Sequence, residues 1–330
     1  MSTYNELIGL KVKYLSADPP SPENGQVWYN ASTLRVAGIL GAGTWASGGT
    51  ASTVTYQLAG AGIQTAALKM GGANSTGTGS LTSTEEYNGT SWTTQNGIPA
   101  ATSYMGGCGV QTAAIIAGGG TIPNYDQTTT REYDGTNWST GGALNASTGS
   151  TGQIIGIESA ALISGGDRPG ASPRYITNVE EYDGSSWTAQ TALPASRSQQ
   201  GTAGIQTAGL VFGGTGSVTD TTLEYDGSSW TSGGALPANN KGIGGSGTQT
   251  VAIGFGGNPG TAAGQLATTV NYNGTSWSAN PATMGTAVQL MGNSSSCPSS
   301  AAIKFGGASP VTAATEEYTE PVGTGSITTS

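Results

Sequence analysis

Carboxylates are the residues of this sequence with the widest chemical reach, and they recur. Three glutamate doublets, Glu85-Glu86, Glu180-Glu181 and Glu316-Glu317, stand beside three aspartates, Asp134, Asp183 and Asp226, in stretches such as YDGSSW. A facing pair of carboxyl groups is what hydrolysis of a glycoside needs. Successive side chains on a strand point to opposite faces, however, so no doublet supplies such a pair by itself. Their repetition predicts solvated outer-strand positions rather than one unique site. The aspartates read as turn residues whose side chains support the backbone that follows. Histidine is absent, which removes the usual general base, the Ser-His-Asp and Cys-His arrangements, and most zinc or copper sites. The segments GAGIQT and GSGTQT precede no helix and do not read as phosphate loops. The expectation is a protein that is not an enzyme and uses no cofactor or metal, with a carbohydrate-active enzyme as an alternative.

Binding chemistry gathers in two other stretches. DRPGASPRYITN, residues 167–178, places Arg168, Arg174 and Tyr175 together in a chain that has five arginines. GTIPNYDQTTTR, residues 120–131, offers Tyr125, Asp126 and Arg131. An aromatic face beside fork-shaped donors suits a sugar, whose C–H face stacks while its hydroxyls hydrogen-bond. Arg197, Lys241 and Tyr104 join this set if their loops emerge on the same side. Loops recognise ligands when a rigid scaffold presents them, so the scaffold decides the matter.

The scaffold is written as a repeat. A double glycine closes an apolar run at Gly71, Gly118, Gly165, Gly213, Gly256 and Gly306. Six tyrosines follow in phase, Tyr87, Tyr133, Tyr182, Tyr225, Tyr272 and Tyr318, and six tryptophans, Trp45, Trp92, Trp138, Trp187, Trp230 and Trp277. Spacings of 43 to 50 residues, with strand-like runs and no helical period, suit one four-stranded propeller blade per repeat. Asp-Gly or Asn-Gly between each Tyr and Trp supplies the turn of a tight hairpin. The first mark is a lone tryptophan and the last a lone tyrosine. The fold class expected is therefore all-β: a six-bladed propeller over 45–320, closed by pairing of its N- and C-terminal strands. Residues 1–44 are an anchoring segment with a short hairpin bearing Trp28 and Tyr29, too small to bury both rings alone. Residues 321–330 read as a flexible tail.

Composition narrows the partners. A net charge of −9 with ten Lys and Arg leaves no basic stripe for nucleic acid or for an anionic membrane. No run approaches 18 apolar residues, so membrane insertion is not expected. MSTYNELIGLKVKYLSADPP lacks the apolar core of a signal peptide, which argues against export by the general secretory route. Cys108 and Cys297 lie in different repeats and read as free buried thiols.

Apolar run, Gly-Gly, spacer, Tyr, short turn and Trp is a pattern that resembles kelch-type β-propellers from Trp45 to about Glu320. A second stretch, NGQVWYNASTLRVAGILGAGTWASGG (residues 24–49), is similar to short hairpins near the N-termini of bacteriophage virion proteins, tail-fibre components included. The degenerate YDGSSW units also look like those of phages from aquatic bacteria. This resemblance implies a virion structural protein assembled in the host cytoplasm, in multiple copies per particle. Residues 1–44 would contact other virion proteins, and the propeller would bind host-surface polysaccharide as a tail-fibre or adhesin component. The alternative in the same setting is a capsid or tail decoration protein with a purely structural role.

Overall fold

Each repeat folds because its apolar run is short and ends where only glycine fits. In the computed structural model, which describes residues 13–16, 27–30, 35–38 and 43–320 apart from 125, 150–153, 170, 217–218 and 262–263, the first repeat is four strands. They are Ala59–Ile63, Ala66–Met70, Thr84–Tyr87 and Trp92–Thr94, an antiparallel meander here lettered a to d, blade 1. The same order recurs in 106–140, 155–189, 201–232 and 244–280, blades 2 to 5. Blade 6 joins Gly292–Asn293, Ile303–Phe305 and Thr315–Thr319 to an outermost strand from the other end of the chain, Thr44–Ser47. Gly48 N–H donates to Thr315 O at 2.9 Å, and the Trp45 and Tyr318 rings lie 5.5 Å apart. The chain is a six-bladed β-propeller closed by its terminal strands, with no α-helix among the described residues.

The a strands face one another around the axis, and space there is scarce. A Cβ on Gly60 would meet Asn293 O at 2.4 Å. At the outer end of strand b the double glycine bends the chain: the N–H of each second glycine donates to the loop leading into the next blade, at 2.7–2.9 Å, all around the ring. Gly72 does this to Thr102 O with φ of 106°, a backbone angle that side chains with a Cβ rarely adopt.

The core lies between blades, not within them. Six apolar clusters among the described residues each fill one seam; Leu68, Met70, Ile116 and Tyr133 fill the first. Each sheet is thus covered on both faces. Cys108 and Cys297 are free and buried. The axis itself is bridged: the Ser295 hydroxyl of blade 6 donates across it to Ile154 O of blade 3 at 2.7 Å.

Backbone contacts separate the ring, Trp45–Tyr318, from a second unit made of the two end segments. That unit holds a three-stranded sheet. Val27–Asn30, the strand of Trp28 and Tyr29, pairs antiparallel with Arg35–Gly38 and parallel with Lys13–Leu15. The hairpin is as the sequence reads; the parallel third strand is not signalled there. The side chains of Trp28 and Tyr29, and residues 321–330, lie outside the described residues.

Candidate ligand-binding face

The acidic residues are consumed by the architecture. Glu85, Glu180 and Glu316, expected as solvated, are buried. That expectation fails because strand c, which carries the doublets, is covered on both faces: the two members of a doublet enter two different seams. Glu85 accepts from Lys69 Nζ at 2.6 Å and from the amides of Ser52 and Thr53 at 2.6 and 3.1 Å. Burial alone would push its carboxyl up; the Lys69 ammonium and the Ser52 amide hold it below the ordinary range instead. Glu316 repeats the pattern with Lys304 at 2.8 Å. The second members Glu86 and Glu317, and Glu132 and Glu224 at the same position in blades 2 and 4, face the following blade, where tyrosine hydroxyls donate to them: Tyr87 to Glu317 at 2.6 Å, Tyr133 to Glu86 at 3.0 Å, Tyr272 to Glu224 at 2.6 Å, and Tyr182 to Glu132. Burial, then this bond, pushes the Tyr182 and Tyr272 phenols up to about 12. Tryptophan completes the seam. Trp92, Trp187, Trp277 and Trp45 donate Nε1 to Thr315, Thr130, Thr222 and Thr269 of the preceding blade at 2.8–2.9 Å, and Trp138 to Thr84 at 3.1 Å.

The aspartates are turn residues, as their sequence context implies. Asp134, Asp183 and Asp226 each accept two backbone amides within the c–d turn. The Ser186 amide, with the Ser185 hydroxyl, holds the Asp183 carboxyl at about 2. Glutamine does comparable work in the a–b turns: Gln64, Gln111, Gln206 and Gln249 each donate Nε2 to two carbonyls of the preceding blade. Nothing in the sequence marks these clamps except repetition.

The b–c and d–a loops share the other face, and there groups remain available. Blade 2's b–c loop and the loop leading into that blade enclose a cleft of about 270 Å³. Arg131, Gln127, Asn124, Thr121 and Thr102 line it. Arg131 spends Nη1 on Thr130 O and the Thr140 hydroxyl at 3.2 and 3.3 Å, while its Nε is shielded and has no partner. Asp126, in the same loop, also keeps an enclosed carboxylate oxygen without a partner. Tyr125 lies outside the described residues. No carboxylate lines the cleft among the described residues, so its chemistry is donation from amides, hydroxyls and a guanidinium.

The remaining candidates separate. Arg174 is spent on a bidentate pair with Asp167 at 2.8 and 2.9 Å and lies over the Tyr175 ring at 5.2 Å. The Arg168 side chain reaches Pro173 O at 3.4 Å. Arg197 is not presented at all: it is 1% exposed, donates to the Thr221 carbonyl and hydroxyl at 3.3 and 2.8 Å, and burial pushes its guanidinium down to about 10. Lys241 is half-buried, its backbone paired with Asn258.

Tyr104 belongs to a feature that the sequence hides. Gln57, Tyr104, Gln199 and Leu290 are left-handed, with φ of 51 to 64°, and with Gly242 they form a chain of backbone bonds around the mouth of the axis. Tyr104 N–H donates to Gln57 O, Gln57 to Leu290, Leu290 to Gly242 and Gly242 to Gln199, at 2.8–3.0 Å. Left-handed non-glycine residues cost of order 1 kcal/mol or more each and gather at functional sites. Of the five, only Gly242 is of a type that signals such a conformation in advance.

The fold and loops define a class: a closed β-propeller with one wired face and one face of diverse loops around an axial mouth. No protein-family model matches the chain, and no curated protein matches it in sequence.

Proposed function

We propose that this protein is a structural component of a bacteriophage particle, a tail-fibre or adhesin element whose kelch-like propeller offers its loop face to host-surface glycans. The observation that carries the reading is the cleft lined by Arg131 together with the side-chain amides of Gln127 and Asn124. Tyr104 and Gln57 lie at the axial mouth on the same face. This set matches a polyhydroxylated ligand: planar donors for hydroxyls and an aromatic surface for a sugar ring. Residues 24–49, similar to virion hairpins, supply the setting, and residues 1–44 would attach the protein to its neighbours through Trp28 and Tyr29. Many copies on one particle would convert weak single sites into firm attachment.

The test is retention of the full-length protein on an array of bacterial surface polysaccharides. Binding is expected, weakened about tenfold or more by Arg131→Ala (~1.4 kcal/mol) with the melting temperature unmoved. Failure to bind any polysaccharide, with binding to purified particles intact, would replace adhesion by decoration. Internal use of Arg174, Tyr175 and Arg197 favours that second reading. Release of reducing sugar from a bound polysaccharide would make the protein an enzyme.

A further inference from the structure

The wired face carries an apolar arc over five of its six blades. The a–b turns read Gly-Ile-Gln-Thr-Ala, Gly-Val-Gln-Thr-Ala, Gly-Ile-Glu-Ser-Ala and Gly-Ile-Gln-Thr-Ala in blades 1 to 4, and Gly-Thr-Gln-Thr-Val in blade 5. Six large aliphatic side chains are exposed among the described residues, and five of them sit in these turns: Ile63, Val110, Ile157, Ile205 and Val251, each 45–56% exposed. In blades 1 to 4 the residue ends strand a and its hairpin partner is alanine, as Ile63 stands opposite Ala66. In blade 5 the arrangement is reversed. Thr248 takes the first position and Val251 the second, the two joined by Thr248 N–H to Val251 O at 2.8 Å. Strand preference does not explain the exchange, since threonine suits a strand as well as isoleucine does. What the hairpins of blades 1 to 5 keep is one branched apolar side chain in the last residue pair before the turn, on either strand.

Neighbouring a strands are in contact, so these side chains form an annulus, open at blade 6, around an axis bridged by Ser295. The glutamine clamps hold the turns of blades 1, 2, 4 and 5, so a partner would order little of this surface on binding. Outside the annulus the face is charged on one side. Blades 2, 3 and 4 carry Asp134, Asp183 and Asp226 in their c–d turns, with Glu158 in blade 3, whereas blades 1 and 5 carry Asn88 and Asn273.

Apolar surface needs apolar surface, and the described residues of the loop face offer little. Among them the cations are Arg131, Arg168, Arg174 and Lys241, and the exposed large aliphatic residue is Val54. A second copy presenting the same annulus can. Closed two-fold pairing of one patch with itself is the commonest form of self-association. Among the two-fold registers open to two six-bladed wheels, one sets blades 2, 3 and 4 against blades 1, 6 and 5 of the other copy. There the Asp134 turn meets the Asn88 turn, and the Asp226 turn meets the Asn273 turn. We propose that the chain dimerises face to face through this annulus, in that register.

Sedimentation equilibrium of the full-length chain from micromolar concentration upward tests this, and a dimer is expected. The combined variant I63T/V110T/I157T/I205T installs the residue that blade 5 already uses; it should weaken dimerisation by about 100-fold, a typical effect of losing a buried apolar patch, with the melting temperature held. Asn88→Asp with Asn273→Asp places in blades 1 and 5 the residue that blades 2 to 4 hold in the same turn. It should weaken the dimer about tenfold at low ionic strength, and the effect should vanish at high salt. A chain that stays monomeric, or a dimer unmoved by the threonine set, overturns the proposal. Tighter association with the added aspartates overturns it too, in favour of a basic surface as the occupant.

Discussion

Blades 1 and 3 share one backbone and satisfy its polar atoms differently. In blade 1, Lys69 and two loop amides surround Glu85. In blade 3, Ile163 stands where the lysine would be, and Glu180 takes three N–H groups instead: the Asn145 amide and side chain at 2.8 and 2.9 Å and the Ala146 amide at 3.0 Å. Gln64 of blade 1 clamps its neighbour; Glu158 of blade 3, at the same point of the turn, makes no such bond. Thr84 receives Trp138, whereas Val179 cannot receive Trp230, which turns to Thr191 O at 3.0 Å. At that seam the Tyr225 hydroxyl faces Glu181 without closing a well-formed hydrogen bond. The apolar slab persists all the same, with the Tyr225 and Trp230 rings 4.7 Å apart. A blade therefore requires its apolar seam and its glycines. Its polar contacts are exchangeable, provided that buried charges keep donors.

The two blades differ most in the support of their buried glutamates. Lys69→Ile gives blade 1 the residue of blade 3 without the donor that blade 3 uses in compensation. Removing one partner of a buried pair should cost about 3–5 kcal/mol, measured by urea unfolding. Adding Ser52→Asn, the counterpart of Asn145, should restore part of it. Asn145→Ala in blade 3 should cost about 1.5–3 kcal/mol, since neutral donors to a charged group carry that much.

A smaller effect separates the two a–b turns. Burial, with Glu132 and Asp134 nearby, raises the Glu158 carboxyl above its usual 4.5. A raised folded-state value means stability present in acid and lost as pH rises through it. Glu158→Gln should restore a clamp worth about 1 kcal/mol at neutral pH. The gap in melting temperature between variant and parent should close as the solution is acidified; a gap independent of pH would remove this account. The smallest change is expected from Val179→Thr, which offers Trp230 the acceptor found at five other seams. A gain of about 0.5 kcal/mol is expected from one further hydrogen bond, read from the shift in urea midpoint.

Periodicity made the wheel legible. Gly-Gly, Tyr and Trp each occur once per blade because each occupies one geometric station, and the unpaired Trp45 and Tyr318 betray the closure. Alternation along a strand also foretold that Glu85 and Glu86 part company. It did not reveal where each goes, because binary patterning assumes one wet face and strand c has none. Arg197 looked like a scarce cation on a variable loop, yet the strand pair Arg197–Ser198 and Thr215–Gly216 covers it. Such burial depends on contacts between loops, which carry no period. The axial circlet was hidden for a related reason: Gln57, Gln199 and Leu290 adopt left-handed backbone under tertiary constraint, against their own preferences.

The way blade 6 is closed has a mechanical consequence. Thr315–Thr319 and Thr44–Ser47 lie side by side with no turn between them, so the chain enters and leaves the wheel at one corner. Tension drawing those two leads apart would peel the last sheet open one bond after another, at modest force. Load carried by both leads together in the same direction would leave the closing strands unsheared, which makes tethering by both ends the sturdier way to hang this wheel from anything.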